Sequence, residues 1–172
     1  MLQLSGSFLN RPVLGLQTGG QVATTISPII DPNNLKIEGF YCQDAFDRKK
    51  TFILLAQDIR DVIVQGLVVN DHDSLSEQEE LVRLREVMAI RFELLGKHVV
   101  TTTKQKLGKV ADYAVDMDSF YIQKLYISQP MYKNFTGGNL GVDRTQIIEI
   151  NDKKIVVQDI MPGVPARAGV PA

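Results

Sequence analysis

The chain has 172 residues, 44% of them hydrophobic, and its 19 basic and 20 acidic side chains leave a net charge of -1 at pH 7. This length accommodates one domain or two small ones, and the hydrophobic content suffices for a packed core. The near balance of charge argues against binding nucleic acid over a broad surface, which ordinarily needs an excess of basic residues.

Two features predict where the protein works. Cys42 is the only cysteine, so an intrachain disulfide is excluded and a reducing compartment is favoured. The first residues, MLQLSGSFLNRPV, lack the basic region and the long apolar core of a signal peptide, and no apolar stretch has the length of a membrane span. We therefore expect a cytoplasmic protein without membrane insertion.

The first half of the chain reads as a series of short strands. Runs rich in β-branched residues, separated by turn residues such as those at 18–20 and 31–34, predict strands. The predicted strands are 11–16, 21–30, 35–42, 51–55, 62–65 and 67–70. Pro28 lies inside the second of them, and because proline cannot donate a hydrogen bond to a neighbouring strand, we expect a sheet edge or a bulge there.

A helical pattern follows the first half. Ser76 and Glu79 have the spacing of a capping box. Apolar residues then recur at helical spacing, namely Leu81, Leu84, Val87 and Met88. This pattern predicts a linking helix over about 77–90 that packs its apolar stripe against one half of the protein.

The second half repeats the strand pattern. Strands are predicted at 97–102, 107–116, 121–128, 147–150 and 155–158, with a longer loop at 130–141. The tail, 160–172, contains three prolines and no periodicity, so we expect it to be extended and without regular structure.

The end of each half carries the same sequence pattern. Residues 57–71, QDIRDVIVQGLVVND, match residues 145–159, TQIIEINDKKIVVQD, after a shift of 88 residues without a gap. The identical pairs are Ile59/Ile147, Val68/Val156, Val69/Val157 and Asp71/Asp159. Such a repeat indicates two copies of one small unit. We predict an all-β protein with units at 1–73 and 94–159, a linker at 74–93 and a tail at 160–172.

Several of these segments resemble the PRC-barrel domain family. The resemblance lies in LLGKHVV at 94–100, KLGKVAD at 106–112 and YIQKLYI at 121–127, and in the segments 142–147 and 155–157; in the first half, GQVA at 20–23 is similar to GKVA at 108–111. The domain occurs in the H subunit of the photosynthetic reaction centre and in the C-terminal half of the ribosome maturation factor RimM. The resemblance implies two small β-barrels that are filled with side chains and use their outer surfaces for recognition.

Three patterns that carry chemistry in other proteins are interpreted here as structural. Asp71-His72-Asp73 does not converge on a metal if the residues alternate faces on a strand, so we interpret it as the solvated entrance to the linking helix. Of Asp112, Asp116 and Asp118, two fall in a turn, where aspartate bonds its own backbone. The glycine-rich run 137–141 lacks the following Lys-Ser/Thr of a phosphate-binding loop. We therefore predict no enzymatic activity, no metal and no cofactor.

Two groups of residues are candidates for contact with a partner. The first is a basic group around the first hairpin of the second unit, Lys97, Lys104 and Lys106. The second is an apolar and aromatic loop, Met131, Tyr132, Lys133 and Phe135. Each has a structural alternative, because the first is also what a solvated hairpin contains and the second is also what a loop folded back on the protein contains.

The leading hypothesis is a noncatalytic adaptor or scaffold that binds another protein through the surfaces of its barrels. Two alternatives stay open. One is an RNA- or ribosome-associated assembly factor resembling RimM, and the other is a small-ligand binder in the groove between the barrels. Self-association into a homo-oligomer is also left open, since short barrels expose strand edges.

Overall fold

The computed structural model describes residues 1–129 and 139–159. Its strands form two sheets, and a single short α-helix lies between them in sequence, which confirms the predicted all-β architecture. The loop 130–138, with Met131, Tyr132, Lys133 and Phe135, and the tail 160–172 lie outside the described residues. Within the described residues, no helix has the length and apolar character needed to cross a membrane.

The first sheet contains the strands of the first half of the chain. Its members are β2 (Pro12–Gly15), β3 (Gln21–Asp31), β4 (Lys36–Asp44), β5 (Thr51–Leu55), β6 (Asp61–Ile63), β7 (Gly66–Val69) and β8 (Leu75–Ser76). The strands lie in the order β6-β7-β2-β3-β4-β5-β8. All neighbours are antiparallel except β2 and β7, which are parallel.

The second sheet repeats this arrangement. Its members are β9 (His98–Thr101), β10 (Lys106–Asp116), β11 (Ile122–Ser128), β12 (Leu140–Asp143), β13 (Ile147–Ile150) and β14 (Lys154–Val157), together with β1 (Leu2–Leu4) from the start of the chain. The order β13-β14-β9-β10-β11-β12 matches β6-β7-β2-β3-β4-β5 of the first sheet, in which β8 is additional, and β9 and β14 form the corresponding parallel pair. We call β2–β8 the first unit and β9–β14 the second unit. The hydrogen bonds of each sheet follow an open path among the described residues.

The long strands β3 and β10 bend at equivalent places. The register of β3 against β4 shifts between Thr25 and Ser27 and again between Ile29 and Ile30. The register of β10 against β11 shifts at the corresponding places, 110–112 and 114–115. These bulges accentuate the twist and bend of a long strand. The structure therefore confirms that the sequence repeat is a repeat of architecture.

The pairing of the strands corrects one detail of the sequence alignment. Val13 of β2 lies opposite Ala23, and Val99 of β9 lies opposite Gly108. Gly108 thus corresponds to Ala23, and not to Gly20 as the similar GQVA and GKVA segments indicate. The reason is that the turns before the two long strands differ in length, which a match of four letters does not reveal.

The two units share one hydrophobic core. Buried residues from both sheets form a continuous cluster. Phe8 joins the two units in this cluster, with its ring centroid 5.6 Å from that of Phe40 in the first unit and 6.2 Å from that of Tyr113 in the second. The burial of three aromatic rings at one point stabilises the contact between the units.

The contact between the units is reciprocal. Ile37 donates its backbone N–H to the carbonyl of Phe120 at 2.9 Å, and Ile122 donates to the carbonyl of Leu35 at 2.8 Å. Leu35 and Phe120 occupy the same position in their units, after the turn between the two longest strands, and both have positive φ. When equivalent residues of two copies contact each other in this way, the interface has two-fold symmetry. The chain is therefore built like a dimer of its own repeat.

Each unit also contacts the segment that precedes the other unit's first strand. β1 pairs antiparallel with β10 of the second unit, although it lies in the segment 1–73 that was predicted to form the first unit. The segment before β9 packs instead against β3 of the first unit, where it forms α1 (Arg85–Ile90). Each unit is thus contacted by the segment that precedes the first strand of the other unit, which is a strand (β1) in one case and a helix (α1) in the other.

The predicted linking helix over 77–90 is only partly present. Ser76 belongs to β8 and pairs with Ile53, so it does not cap a helix. Residues 78–80 and 82–84 form two 3-10 turns that are separated at Leu81, with φ -97° and ψ 71°, and only Arg85–Ile90 is α-helical. Such short helices depend on packing more than on local preference.

Three short strands have no clear signal in the sequence. β1, β8 and β12 contain two to four residues each, and β12 begins inside the predicted loop 130–141. These strands are set by the partner strands that they meet, since so few residues carry no periodicity of their own.

Candidate functional site

The edge of β3 forms one side of a cleft on the first unit. β2 pairs with β3 only from Gln21 to Thr24, and the N–H of Thr25 donates to the carbonyl of Arg11. Beyond this point, among the described residues, no strand pairs with residues 26–31 on the side away from β4. An unpaired strand edge offers a row of backbone donors and acceptors to another chain. Pro28 lies within this stretch, so the predicted edge or bulge at Pro28 is confirmed.

A cavity of about 1020 Å³ lies beside this edge. Its walls are the β3 edge, the segment around α1 and part of the second unit. Apolar residues line much of it, among them Ile26, Pro28, Ile30, Val87, Leu95 and Tyr113. A volume of this size is at the upper end of the range for ligand pockets. We call the cavity and the neighbouring β3 edge the cleft.

The wall formed by the connecting segment is held to the sheet by its apolar side chains. Met88 is buried against Ile29 and Ile53, and partly buried apolar neighbours extend this small cluster, namely Tyr41, Leu55, Leu81, Leu84 and Val87. The predicted packing of the apolar stripe on one half of the protein is thus confirmed, although most of the stripe is not helical. This cluster is separate from the main core.

Tyr113 forms the floor of the cleft on the side of the second unit. Its side chain is 1% exposed, and its phenolic oxygen is buried without a hydrogen-bond partner among the described residues. Burial raises the pKa of Tyr113, and the negative charge of Asp112 raises it further, so the hydroxyl keeps its proton. A buried hydroxyl without a partner is costly.

The predicted basic group does not converge on one surface. Lys97 precedes β9 and its ammonium group donates to the carbonyl of Asp152 at 2.8 Å, with the ring of Phe92 4.8 Å away. Lys104 lies in the turn at the other end of β9, and Lys106 is the first residue of β10. The residues therefore lie at two ends of a strand, and Lys97 is directed into the protein's own contacts.

Asp71-His72-Asp73 takes a different role from the predicted helix entrance. His72 opens a 3-10 turn, and its Nε2 lies 2.6 Å from Oδ1 of the buried Asp44. Phe46 and Phe52 approach the imidazole with their edges. Burial raises the pKa of Asp44, but the hydrogen bond to His72 and those from the backbone outweigh it and leave the pKa below its ordinary value. The contact between His72 and Asp44 thus connects the turn after β7 to the end of β4.

The three acidic residues of β10 and its turn are engaged in structure. Asp116 accepts hydrogen bonds from Ser119 Oγ at 2.7 Å and from the N–H of Asp118 at 3.4 Å, which confirms the predicted turn role. The amino group of Met1 lies 3.4 Å from Asp116 and 3.7 Å from Asp118. Asp112 accepts the hydroxyl of Ser5 at 2.6 Å. These carboxylates bind the start of the chain to the second unit.

Other potential centres of chemistry are limited in the described part of the chain. No group of three or more histidine, cysteine, aspartate or glutamate side chains that could hold a metal ion is present there. Cys42 is buried in β4, and burial raises its pKa to about 12, so the thiol is protonated at neutral pH. His98 is not part of the lining of the cleft.

The sequence predicts a groove between the two barrels as an alternative site, but it does not predict the lining of the cleft, because this depends on how the connecting segment lies over β3. The one available signal was Pro28, since a proline in a long strand indicates an edge. The apolar residues at 81, 84, 87 and 88 indicate from the sequence only the face of a helix. Their placement beside Ile29 and Ile53 follows from the tertiary fold.

No model of a known protein family matches the chain, and no curated protein sequence matches it.

Proposed function

We propose that the protein is a noncatalytic adaptor that binds another protein in the cleft. The observation that carries this proposal is the coincidence of an unpaired strand edge with a large cavity that apolar and polar residues line together. Peptide-binding sites commonly use an unpaired strand edge, which supplies backbone hydrogen bonds, and an apolar pocket, which accepts side chains.

The exposed side chains around the cleft support the same reading. Ile26, Ile90 and Leu95 are each between 45% and 49% exposed, although they are large and apolar. Of these, Ile26 and Leu95 line the cavity itself, and exposed apolar surface at a cavity typically marks an interaction site. Charged side chains of both signs stand at the rim, with Arg85 and Glu93 among them, as in the polar rim of a protein interface.

The resemblance to PRC-barrel domains is part of this proposal. A tandem PRC-barrel protein of the cytoplasm, with filled interiors and recognition on its outer surfaces, is consistent with two repeated units around one packed core. The fold alone does not transfer a function. The alternative of an RNA- or ribosome-associated factor gains no support from the basic residues, since Lys97 and Lys104 lie at opposite ends of β9.

A site-specific crosslinking experiment tests the proposal. A photoreactive amino acid is placed at Ile26, in the cleft, or at Ile148, which is 55% exposed on the second unit and outside the cleft. After irradiation in the native cells, we expect one protein to be attached at position 26 and not at position 148. The attached protein is identified by mass spectrometry and then purified.

Binding of that purified protein provides the decisive measurement. Ile26→Arg is expected to weaken its affinity at least tenfold, about 1.4 kcal/mol or more, whereas Ile148→Arg leaves it unchanged. Equal attachment at both positions, or no effect of Ile26→Arg on binding, contradicts the proposal. Attachment to RNA instead of protein favours the assembly-factor alternative.

A further inference from the structure

The second unit shows what occupies the edge of its own long strand. Leu2, Gln3 and Leu4 of β1 lie opposite Asp116, Val115 and Ala114 of β10. By the repeat, the equivalents of these β10 residues are Asp31, Ile30 and Ile29 of β3. The second unit therefore carries a strand at the place where the first unit has its cleft and, as the counterpart of β1, the short helix α1.

The backbone groups at this place are directed outward in both units. The N–H of Met117 donates to the carbonyl of Met1 at 3.1 Å. Since hydrogen-bonded pairs recur at every second residue of an antiparallel ladder, Val115 directs its N–H and C=O towards Gln3. Its equivalent Ile30 directs the same groups to the side of β3 on which no described strand pairs, and its neighbour Ile37 donates to Phe120 and not to β3.

Pro28 does not obstruct such pairing. Its equivalent in β10 is Tyr113, whose N–H donates to the side chain of Asp112 at 2.8 Å and is not used for pairing with β1. The missing N–H of Pro28 therefore removes no donor that an added strand needs.

The charge at the end of the edge is also repeated. The amino group of Met1, directly before β1, lies 3.4 Å from Asp116. Asp31 occupies the position of Asp116 in the first unit, at the same end of the open edge. A segment that lies on β3 as β1 lies on β10 brings its first residue next to this carboxylate.

We infer that the cleft binds an extended segment of a partner protein that adds an antiparallel strand to β3. The segment has a positive group followed by an apolar–polar–apolar triplet. The triplet pairs with Asp31, Ile30 and Ile29, and one face of it enters the cavity between β3 and α1. Because Ile29 and Ile30 are each only 3% exposed, the segment moves α1 away from β3 as it binds. This inference rests on the proposed protein-binding function and specifies the partner's chemistry.

Two segments of this chain fit the cleft less well than a partner does. The start of the chain is already paired with β10, so a second copy would have to give up that strand. The tail 160–172 contains Pro162, Pro165 and Pro171, which break the series of donors that strand pairing requires.

A peptide of defined sequence tests the inference on the full-length protein. The probe is the heptapeptide MLQLSGS, the sequence of residues 1–7, with a free amino end and a fluorophore at its carboxyl end. We expect saturable binding, with amide hydrogen exchange slowed at least tenfold at Ile30 and unchanged at Val115. Acetylation of the amino end is expected to weaken binding threefold or more, and proline at the third position to abolish it.

Two variants locate the binding. Ile26→Arg changes a half-exposed side chain in the cleft and is expected to weaken binding at least tenfold, whereas Ile148→Arg leaves it unchanged. Neither side chain is in the core, so the fold is expected to persist, and circular dichroism checks this.

The inference is overturned by any of four results. The first is the absence of saturable binding up to about 1 mM peptide, and the second is equal binding of the proline peptide. The third is slowed exchange at Val115 instead of Ile30, and the fourth is slowed exchange at Ile30 without peptide. If the slowed exchange at Ile30 without peptide depends on protein concentration, a second copy of the chain fills the cleft. If the slowed exchange disappears when residues 160–172 are removed, the tail fills the cleft. Crosslinking at position 26 without peptide binding leaves the proposed function standing and removes only strand addition.

Discussion

At the scale of single residues, Gly108 has the strictest requirement. Its φ is +142°, and a Cβ at this position would lie 2.0 Å from the carbonyl oxygen of Ser128. We expect Gly108→Ala to lower the free energy of unfolding by about 3 kcal/mol or more, since backbone strain and overlap with a backbone atom add. Gly20→Ala is the matched control, because its Cβ meets only the side chain of Thr18 at 3.5 Å. Chemical denaturation measures both, and equal effects would contradict this account.

The buried carboxylate of Asp44 makes stability depend on pH. Because its pKa is lower in the folded protein than its ordinary 3.8, its contribution is present above that value and is lost as pH falls through the folded pKa. We expect Asp44→Asn to cost about 1–3 kcal/mol at pH 7 and progressively less in acid. The exposed Asp152→Asn is the control. Chemical denaturation at pH values from 7 to 2 measures the free energy of unfolding of each variant and of the unaltered protein. A loss of stability in Asp44→Asn that stays constant with pH would contradict this account.

At the scale of elements, β1 shows how a three-residue strand depends on its partner. Gln3 pairs with Val115 in β10. Proline at this position removes the donor and disrupts the pairing, so we expect Gln3→Pro to cost about 1–2 kcal/mol and to speed amide exchange at Val115. Gln3→Ala keeps the backbone donor and is expected to change little. Unaltered exchange at Val115 in the proline variant would show that β1 does not protect this edge.

At the scale of the whole molecule, the shared core predicts that the two units unfold together. Phe8 is fully buried between Phe40 and Tyr113, one from each unit. We expect a single calorimetric transition and a loss of about 3–5 kcal/mol in Phe8→Ala. Phe46, which is 75% exposed, is the control, and its replacement by alanine is expected to have a small effect. Two separate transitions in the unaltered protein would show that the units are independent.

The sequence by itself determined the strand content, the linking segment and the repeat. Patterns of β-branched residues and turns are local, so Thr51–Leu55 and Ile147–Ile150 were predicted with their observed bounds. Only the tertiary structure decided that β1 joins the second unit, that most of 77–90 is not α-helical, and that a cleft opens beside β3. These features depend on contacts between residues far apart in the chain, such as Ser5 with Asp112 and Met88 with Ile29. A few residues without periodicity take the conformation that such distant partners stabilise.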